Sequence, residues 1–317
     1  MFTMDLEINA GERNASATGG DQPVARPGLG IITMAYGPDR FLRQAETLSR
    51  SLRLHMPGLP LALVTDRKDA GELFDIVIPM RPFGRAGTLH KINLYDYSPF
   101  EETLFIDSDC VVVRPFHEQL EAIRGHDFAP IVTLCLKDGE SDLWLEDVGA
   151  ALQGVGGSAF PKFNGGVYFF RKGAEAEGIF ARANDLLLRK KELGIKDFDS
   201  AGPGDETLIG LAMAQSPHLK LFDDHGLLMR TPLNTQGPVE VEVLKGFSSF
   251  VKEGKQVSPA IIHFCGPWID HPTYVIARAE LEADKPASRL ARGLFWMRFI
   301  LDKAARKVRR RLSIPRR

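Results

Sequence analysis

Two carboxylates stand one residue apart in TLFIDSDCVVV, Asp107 and Asp109, with apolar residues on both sides. A chain of this length holds about one Asp-x-Asp by chance. The flanking apolar runs therefore carry the reading, and they predict a buried strand rather than an exposed loop. Alternation along a strand puts both carboxylates on the same side. So close together they repel and raise a pKa, unless a cation lies between them. Oxygen-rich sites select Mg²⁺ or Mn²⁺ and commonly share the metal with substrate phosphates. The pair thus predicts divalent-metal chemistry on a phosphorylated substrate; the plain alternative is a surface turn at the strand end.

The surrounding elements must hold such a pair at a ligand-accessible edge. LGIITMAYG (29–37) predicts a buried strand ending at Gly37-Pro38. Phe41, Leu42, Ala45, Leu48 and Leu52 then recur at helical spacing. LPLALVTD (59–66) and FDIVIPM (74–80) predict two more strands, and LHKINLYDYS (89–98) a helix before the aspartates. This order predicts an α/β fold with a mostly parallel central sheet flanked by helices. Ligands in such sheets sit at the carboxyl ends of the strands, where Tyr36, Asp66 and Asp107 all fall. Downstream, strands are predicted at 127–136, 163–171, 219–224 and 260–266. Helices are predicted at 174–194 and 205–215, the latter with Asp205 as N-cap.

Composition narrows the function classes. The 317 residues are 44% hydrophobic, enough for a sizeable core. Lys plus Arg is 40 against Asp plus Glu 41, a balance that argues against a general nucleic-acid binder. Three widely spaced cysteines make no disulfide framework or CxxC metal site, as expected in a reducing cytoplasm. The opening residues lack a secretory pattern, and no apolar run of about 20 residues predicts a membrane span. Residues 1–28 read as a disordered or loosely held tail, 29–272 as the catalytic domain and 273–317 as a helical, basic segment.

Several segments, in order over about residues 29–270, resemble nucleotide-sugar-dependent glycosyltransferases of the GT-A fold. The likeness is strongest to family 8, which includes glycogenin and bacterial lipopolysaccharide galactosyltransferases. IITMAYGPDRFLRQAETLSRSL resembles the family's first strand and helix. That match implies that Thr33, Ala35 and Tyr36 line the uracil and ribose pocket. Lys91 in LHKINLYDY matches a basic residue near the sugar and phosphates. LFIDSDCVVVRP resembles the DxD segment, which brings Ser108 to the nucleotide beside Asp107 and Asp109. FNGGVYFFRKG resembles a segment that touches the donor sugar, giving Asn164 and Gly165 that role. IIHFCGPW resembles the late histidine motif, implying His263 as third metal ligand, with Gly266 at the donor. The family's late motif usually continues to a lysine on the diphosphate. HFCGPWID has none, and Lys91 could substitute.

The resemblance implies transfer of a hexose from a UDP-sugar to a hydroxyl of a glycan or lipid-linked acceptor, with retention. An imidazole ligand favours Mn²⁺ over Mg²⁺. Asn164 carries an amide able to pair with sugar hydroxyls, beside glycines that allow close backbone approach. Glu206, in GDETLIG, could act as nucleophile or stabilise positive charge at the anomeric carbon. As general base on the acceptor it would give inversion instead. Asp205 could orient the sugar, and either acid could simply favour the helix start. A haloacid-dehalogenase-like phosphatase is the competing enzyme reading, with Asp107 as nucleophile and FDDHG (222–226) supplying later carboxylates. A catalytically inactive nucleotide-sugar-binding module is the non-enzyme reading. Finally, Leu290, Leu294, Met297, Leu301 and Val308 share one face of a predicted C-terminal helix. Phe295, Trp296, Phe299 and Ile300 widen that face, and Arg and Lys lie opposite. This pattern predicts either a helix lying in an anionic membrane interface or one packed on the domain.

Overall fold

The computed structural model describes residues 28–81, 87–200, 202–216 and 219–312, with side chains described as far as Arg306. The tail expected over 1–28 falls almost wholly outside these residues. In chain order the elements are β1 (Leu29–Ala35), α1 (Asp39–His55), β2 (Leu61–Thr65) and β3 (Ile76–Pro79). A 3₁₀ segment, Gly87–Asn93, leads into α2 (Leu94–Tyr97), β4 (Glu102–Ile106), β5 (Cys110–Val112) and α3 (His117–Ile123). There follow β6 (Phe128–Leu136), α4 (Val148–Val155), β7 (Phe160–Arg171), α5 (Ala174–Leu188) and α6 (Asp205–Ala214). The chain ends in β8 (Met229–Arg230), β9 (Gln236–Glu242), β10 (Phe247–Lys252), β11 (Lys255–Val257), β12 (Ile261–His263), α7 (Pro272–Ala283) and α8 (Arg289–Leu312).

Six strands form the central sheet in the order β3-β2-β1-β4-β7-β6. The first four are mutually parallel, while β7 runs antiparallel to both β4 and β6. The mostly parallel α/β architecture expected from the sequence is therefore present. Near-continuous apolar runs make its central strands, as both faces are covered. On one face pack α4, α5 and α6 around Phe105, Phe128, Phe170 and Phe180. On the other, Ala45, Leu48 and Leu52 of α1 pack with Phe116 and Ile261, which confirms the spacing read from the sequence.

Two small sheets complete the molecule, β5-β12-β8 and β11-β10-β9. The latter shares a third core with α7, built on Phe250, Phe264 and Tyr274.

Four local expectations need correction. Residues 89–98 form the 3₁₀ segment and one turn of α2 rather than a continuous helix. The helix predicted to Gly194 ends at Leu188, whose side chain is 83% exposed and gives no packing to extend it. Residues 219–224 form no strand; only an isolated bridge joins Ile131 to Phe222. Gly204, not Asp205, is the N-cap of α6; Asp205 is its first helical residue.

Helix α8 packs and exposes at once. Arg292 Nη2 lies 2.5 Å from the buried Glu280 Oε1 of α7, and the Trp296 and Phe299 rings lie against His271. The opposite side carries Leu290, Leu294, Met297 and Leu301, which are 50–75% exposed. Val308 lies outside the residues whose side chains are described. Among the described residues no helix is long and apolar enough to cross a membrane.

Candidate active site

The aspartate pair sits at the carboxyl end of β4, but not on a strand. Strand β4 ends at Ile106, and Asp107–Asp109 form a turn closed by Cys110 N donating to Asp107 O at 3.0 Å. Strand alternation therefore does not align the two acids, as the sequence had suggested; the turn does. A three-residue antiparallel pairing sets what faces that turn. Strand β12 aligns Ile261 with Val112, Ile262 with Val111 and His263 with Cys110. Phe264 N donates to Asp109 O at 3.0 Å, closing the same contact.

The pairing brings His263 to the acids. Its Nε2 lies 2.9 Å from Asp109 Oδ1 and 3.9 Å from Asp107 Oδ2. Its other nitrogen, Nδ1, lies 2.5 Å from Asn164 Oδ1, which also accepts from Gly166 N at 3.1 Å. Two neighbours at one atom identify it as the amide oxygen, so Nδ1 carries a proton and donates. Nε2 is thereby turned to the carboxylates. Orientation of a histidine through its second nitrogen is the usual arrangement at a metal ligand. Burial disfavours charge on His263, yet Asp109, by charge and hydrogen bond, and Asp107 raise its pKa above the ordinary value. The carboxylates thus ask for positive charge between themselves and Nε2, which a divalent ion would supply.

Cys110 joins Asp109 and His263 in a group whose donor atoms lie within 4.8 Å of one another. Sequence reading missed this cysteine; its place next to Asp109 was the only signal. Burial, reinforced by Asp109 and Asp107, pushes the thiol well above its usual range. Its Sγ donates to Gly166 O at 3.7 Å. A protonated, buried thiol is a poor ligand beside two carboxylates and an imidazole.

Lys91 is buried and lies 2.5 Å from Asp107 Oδ2 and 4.0 Å from Asp205 Oδ2. Burial opposes its charge, but the two acids hold the ammonium well above its ordinary pKa. Asp205, only 3% exposed, has its carboxyl pushed up to about 7 by burial, offset by Lys91 and reinforced by Glu206 and Asp107. Glu206 is half-buried and accepts from Gly165 N at 2.6 Å.

Both glycines of FNGG are required here. A Cβ on Gly165 would come within 3.0 Å of Asp205 Oδ2 and Glu206 Cγ. One on Gly166 would meet His263 Nδ1 at 2.3 Å. Close approach, rather than an unusual backbone angle, is why these positions lack a side chain.

A cavity of about 270 Å³ opens over this cluster, lined by Ala35, Tyr36, Phe41, Lys91, Asp107, Ser108 and Asp109. Burial pushes the Tyr36 hydroxyl above its usual range, and it donates to Gly87 O. Thr33 lies deeper, fully buried in β1 and not on the cavity wall, with its hydroxyl unpartnered among the described residues. Gly266 opens a short 3₁₀ segment with φ of 60° and does not line this cavity. Asp199, which sequence reading did not single out, does.

No protein-family model matches the chain, and no curated protein matches it in sequence. Solved structures match it in fold. One is the galactosyltransferase LgtC in complex with donor and acceptor sugar analogs, at 15% identity. The match covers 83% of this chain and 99% of that one, with a TM-score of 0.52. An active-site mutant of LgtC matches at 14% identity over the same shares, with a TM-score of 0.50. The chain has the GT-A glycosyltransferase fold.

Proposed function

We propose that the protein is a metal-dependent glycosyltransferase that moves a hexose from a UDP-sugar to a hydroxyl of a glycan or lipid-linked acceptor, with retention. One observation carries this reading. His263, held by Asn164, turns Nε2 toward Asp107 and Asp109, which line a cavity of about 270 Å³. Asp107, Asp109 and His263 would hold the divalent ion, with Mn²⁺ favoured over Mg²⁺ by the imidazole. When bound, such an ion supplies Lewis-acid stabilisation of the departing diphosphate.

The chain's own groups account for the rest. Ala35 and Tyr36 bound the nucleoside end of the cavity, and Ser108 sits where the phosphates enter. Lys91 places a permanent positive charge beside the same phosphates, in the role of the lysine missing from HFCGPWID. Asp205 pairs with a sugar hydroxyl, and Asn164 with Gly165 borders the donor sugar. Glu206, fixed by Gly165 N, faces the anomeric carbon as nucleophile or charge stabiliser, which gives retention. Gly266, expected at the donor, lies off this cavity and takes no part in the proposed mechanism. LgtC has been captured with donor and acceptor sugar analogs, and a site of the same fold suits that pair of ligands.

Neither competing reading gains support. Asp224, offered as a phosphatase carboxylate, is consumed by Gly226 N, Leu228 N, Met229 N and Arg230 Nη1 at 2.7–3.0 Å. An inactive module would be expected to lack one of the proposed ligands, and all three are present.

Localisation follows from α8. Its exposed apolar row and basic residues suit peripheral attachment to an anionic inner membrane surface, each basic residue adding about 1 kcal/mol. Truncation after Ala287 should abolish salt-sensitive vesicle binding; undiminished binding would remove this part of the proposal.

The central test is a panel of nucleotide sugars assayed for Mn²⁺-dependent hydrolysis, with UDP protection against thermal unfolding measured alongside. Asp109→Ala should abolish both and Glu206→Ala only turnover. Equal turnover by wild type and Asp109→Ala would defeat the metal assignment.

A further inference from the structure

A second and larger cavity, about 520 Å³, borders the same centre. It shares Asn164 with the site and is walled by β6, the start of β7, β8 and the β10–β11 hairpin. Four cations line it: Lys162, Arg230, Lys252 and Lys255. Two are neutralised, Lys162 by Asp142 Oδ2 and Arg230 by Asp224 Oδ1, each at 2.7 Å. Lys252 and Lys255 are not: neither forms an ion pair with a described residue. Of the acids on the wall, Asp223 pairs with His225, and Glu253 occupies the hairpin turn.

The hairpin is built against its own stability in two ways. Lys252 and Lys255 are register partners across the antiparallel ladder. Like charges directly opposite one another destabilise a sheet, and their Cβ atoms stand about 5 Å apart on one face. Glu253, at the first turn position, has φ of 52°, a left-handed conformation that an L side chain resists. His225, across the cavity, has φ of 51°. Each is followed by a glycine of positive φ, Gly254 and Gly226, so both are first residues of tight turns that shape this cavity's wall.

Lys252 is also aimed. Its Nζ donates to Leu233 O at 2.6 Å and Thr231 O at 3.2 Å, which leaves one N–H for a further partner. Half-burial lowers its pKa, a cost that a bound anion would offset. Along β7, Lys162 and Asn164 lie on one face about 7 Å apart, roughly the span of one sugar ring.

We propose that the Lys252–Lys255 pair binds an anionic group, a phosphate or a carboxylate, carried by the acceptor saccharide one or two rings from the hydroxyl that is glycosylated. This rests on the glycosyltransferase reading for the word acceptor, but the anion site is measurable without it.

The test is calorimetric titration of the full-length protein with glucose 6-phosphate, glucuronate and glucose. At least one of the charged sugars should bind saturably and glucose at least tenfold more weakly; the stronger of the two identifies phosphate or carboxylate. Lys255→Glu should weaken the charged sugar at least tenfold while raising the melting temperature, because it replaces a repelling pair with an attracting one. Lys252→Gln should weaken binding similarly. Charged sugars that bind no better than glucose, or wild-type affinity in both variants, would overturn the proposal. UDP protection of the wild type, run in parallel, separates this outcome from failure of the donor reading: loss of UDP protection with charged-sugar binding intact indicts only the latter.

Discussion

The two cavities that meet at Asn164 are built on opposite plans. In the smaller, the cations are paired with acids: Lys91 with Asp107 and Asp205, His263 with Asp109. Its wall is the end of a parallel sheet, and two glycines let helix α6 and β12 press against β7. In the larger, two lysines face each other, and neither forms an ion pair with a described residue. The first is organised before any ligand arrives, its charged groups held by one another. The second holds unspent charge on a short hairpin, where a change of sequence costs the core little. A donor common to many reactions and an acceptor particular to one would produce this division.

That contrast can be tested from its strongest consequence downward. Gly166→Val should be the most damaging change, because a Cβ there would lie 2.3 Å from His263 Nδ1. Mn²⁺-dependent turnover should fall at least about 100-fold, on the scale of losing support to a metal ligand. A nearly normal rate in a folded Gly166→Val protein would show that His263 does not need its observed position. Asp205→Asn comes next and concerns stability. An acid whose folded pKa is about 7 keeps its proton after the unfolded chain has lost it, so stability declines as pH rises from about 4 to 7. The asparagine variant should match wild type near pH 3.5 and exceed it at pH 8 by up to about 4 kcal/mol. Denaturant titrations at both pH values, without added metal, would measure this; parallel curves at every pH would remove Asp205 from the strained acids. Asn164→Ala, which frees Nδ1, should weaken Mn²⁺ affinity by about 10- to 100-fold, read by metal titration of UDP protection. Unaltered affinity would mean that the amide serves the sugar alone. Leu134→Ser, half-exposed on the wall of the larger cavity, should change stability by no more than about 0.5 kcal/mol. A loss above about 2 kcal/mol would show that this wall is structural after all.

Much of this was legible in the sequence because the parallel strands announce themselves as apolar runs. LGIITMA, LALVT and ETLFI fall where expected, and Tyr36 and Asp107 lie at their carboxyl ends. What escaped was set by tertiary pairing. IDSDCVVV reads as one strand, yet it breaks at Asp107 because β5 leaves the main sheet to pair with β12. Asn164 offers chemistry suited to a sugar, while its observed partner, His263, is a contact between distant segments that spacing does not reveal. The Lys252–Lys255 opposition is visible only once the hairpin register is known. The apolar pattern of α8 does not say which residues pack: Trp296 and Phe299 lie on the domain, while Leu290, Leu294, Met297 and Leu301 stay exposed.

Strand β7 is the one member of the central sheet that runs against both its neighbours, and this reversal has an architectural effect. A parallel strand delivers its last residues to the reactive edge and must send the chain away from there. Strand β7 arrives at that edge first, sets down Asn164, Gly165 and Gly166 beside Asp107, and departs from the far end at Arg171, level with Glu102. The crossover into α5 therefore starts behind the sheet, at the end away from the aspartate turn.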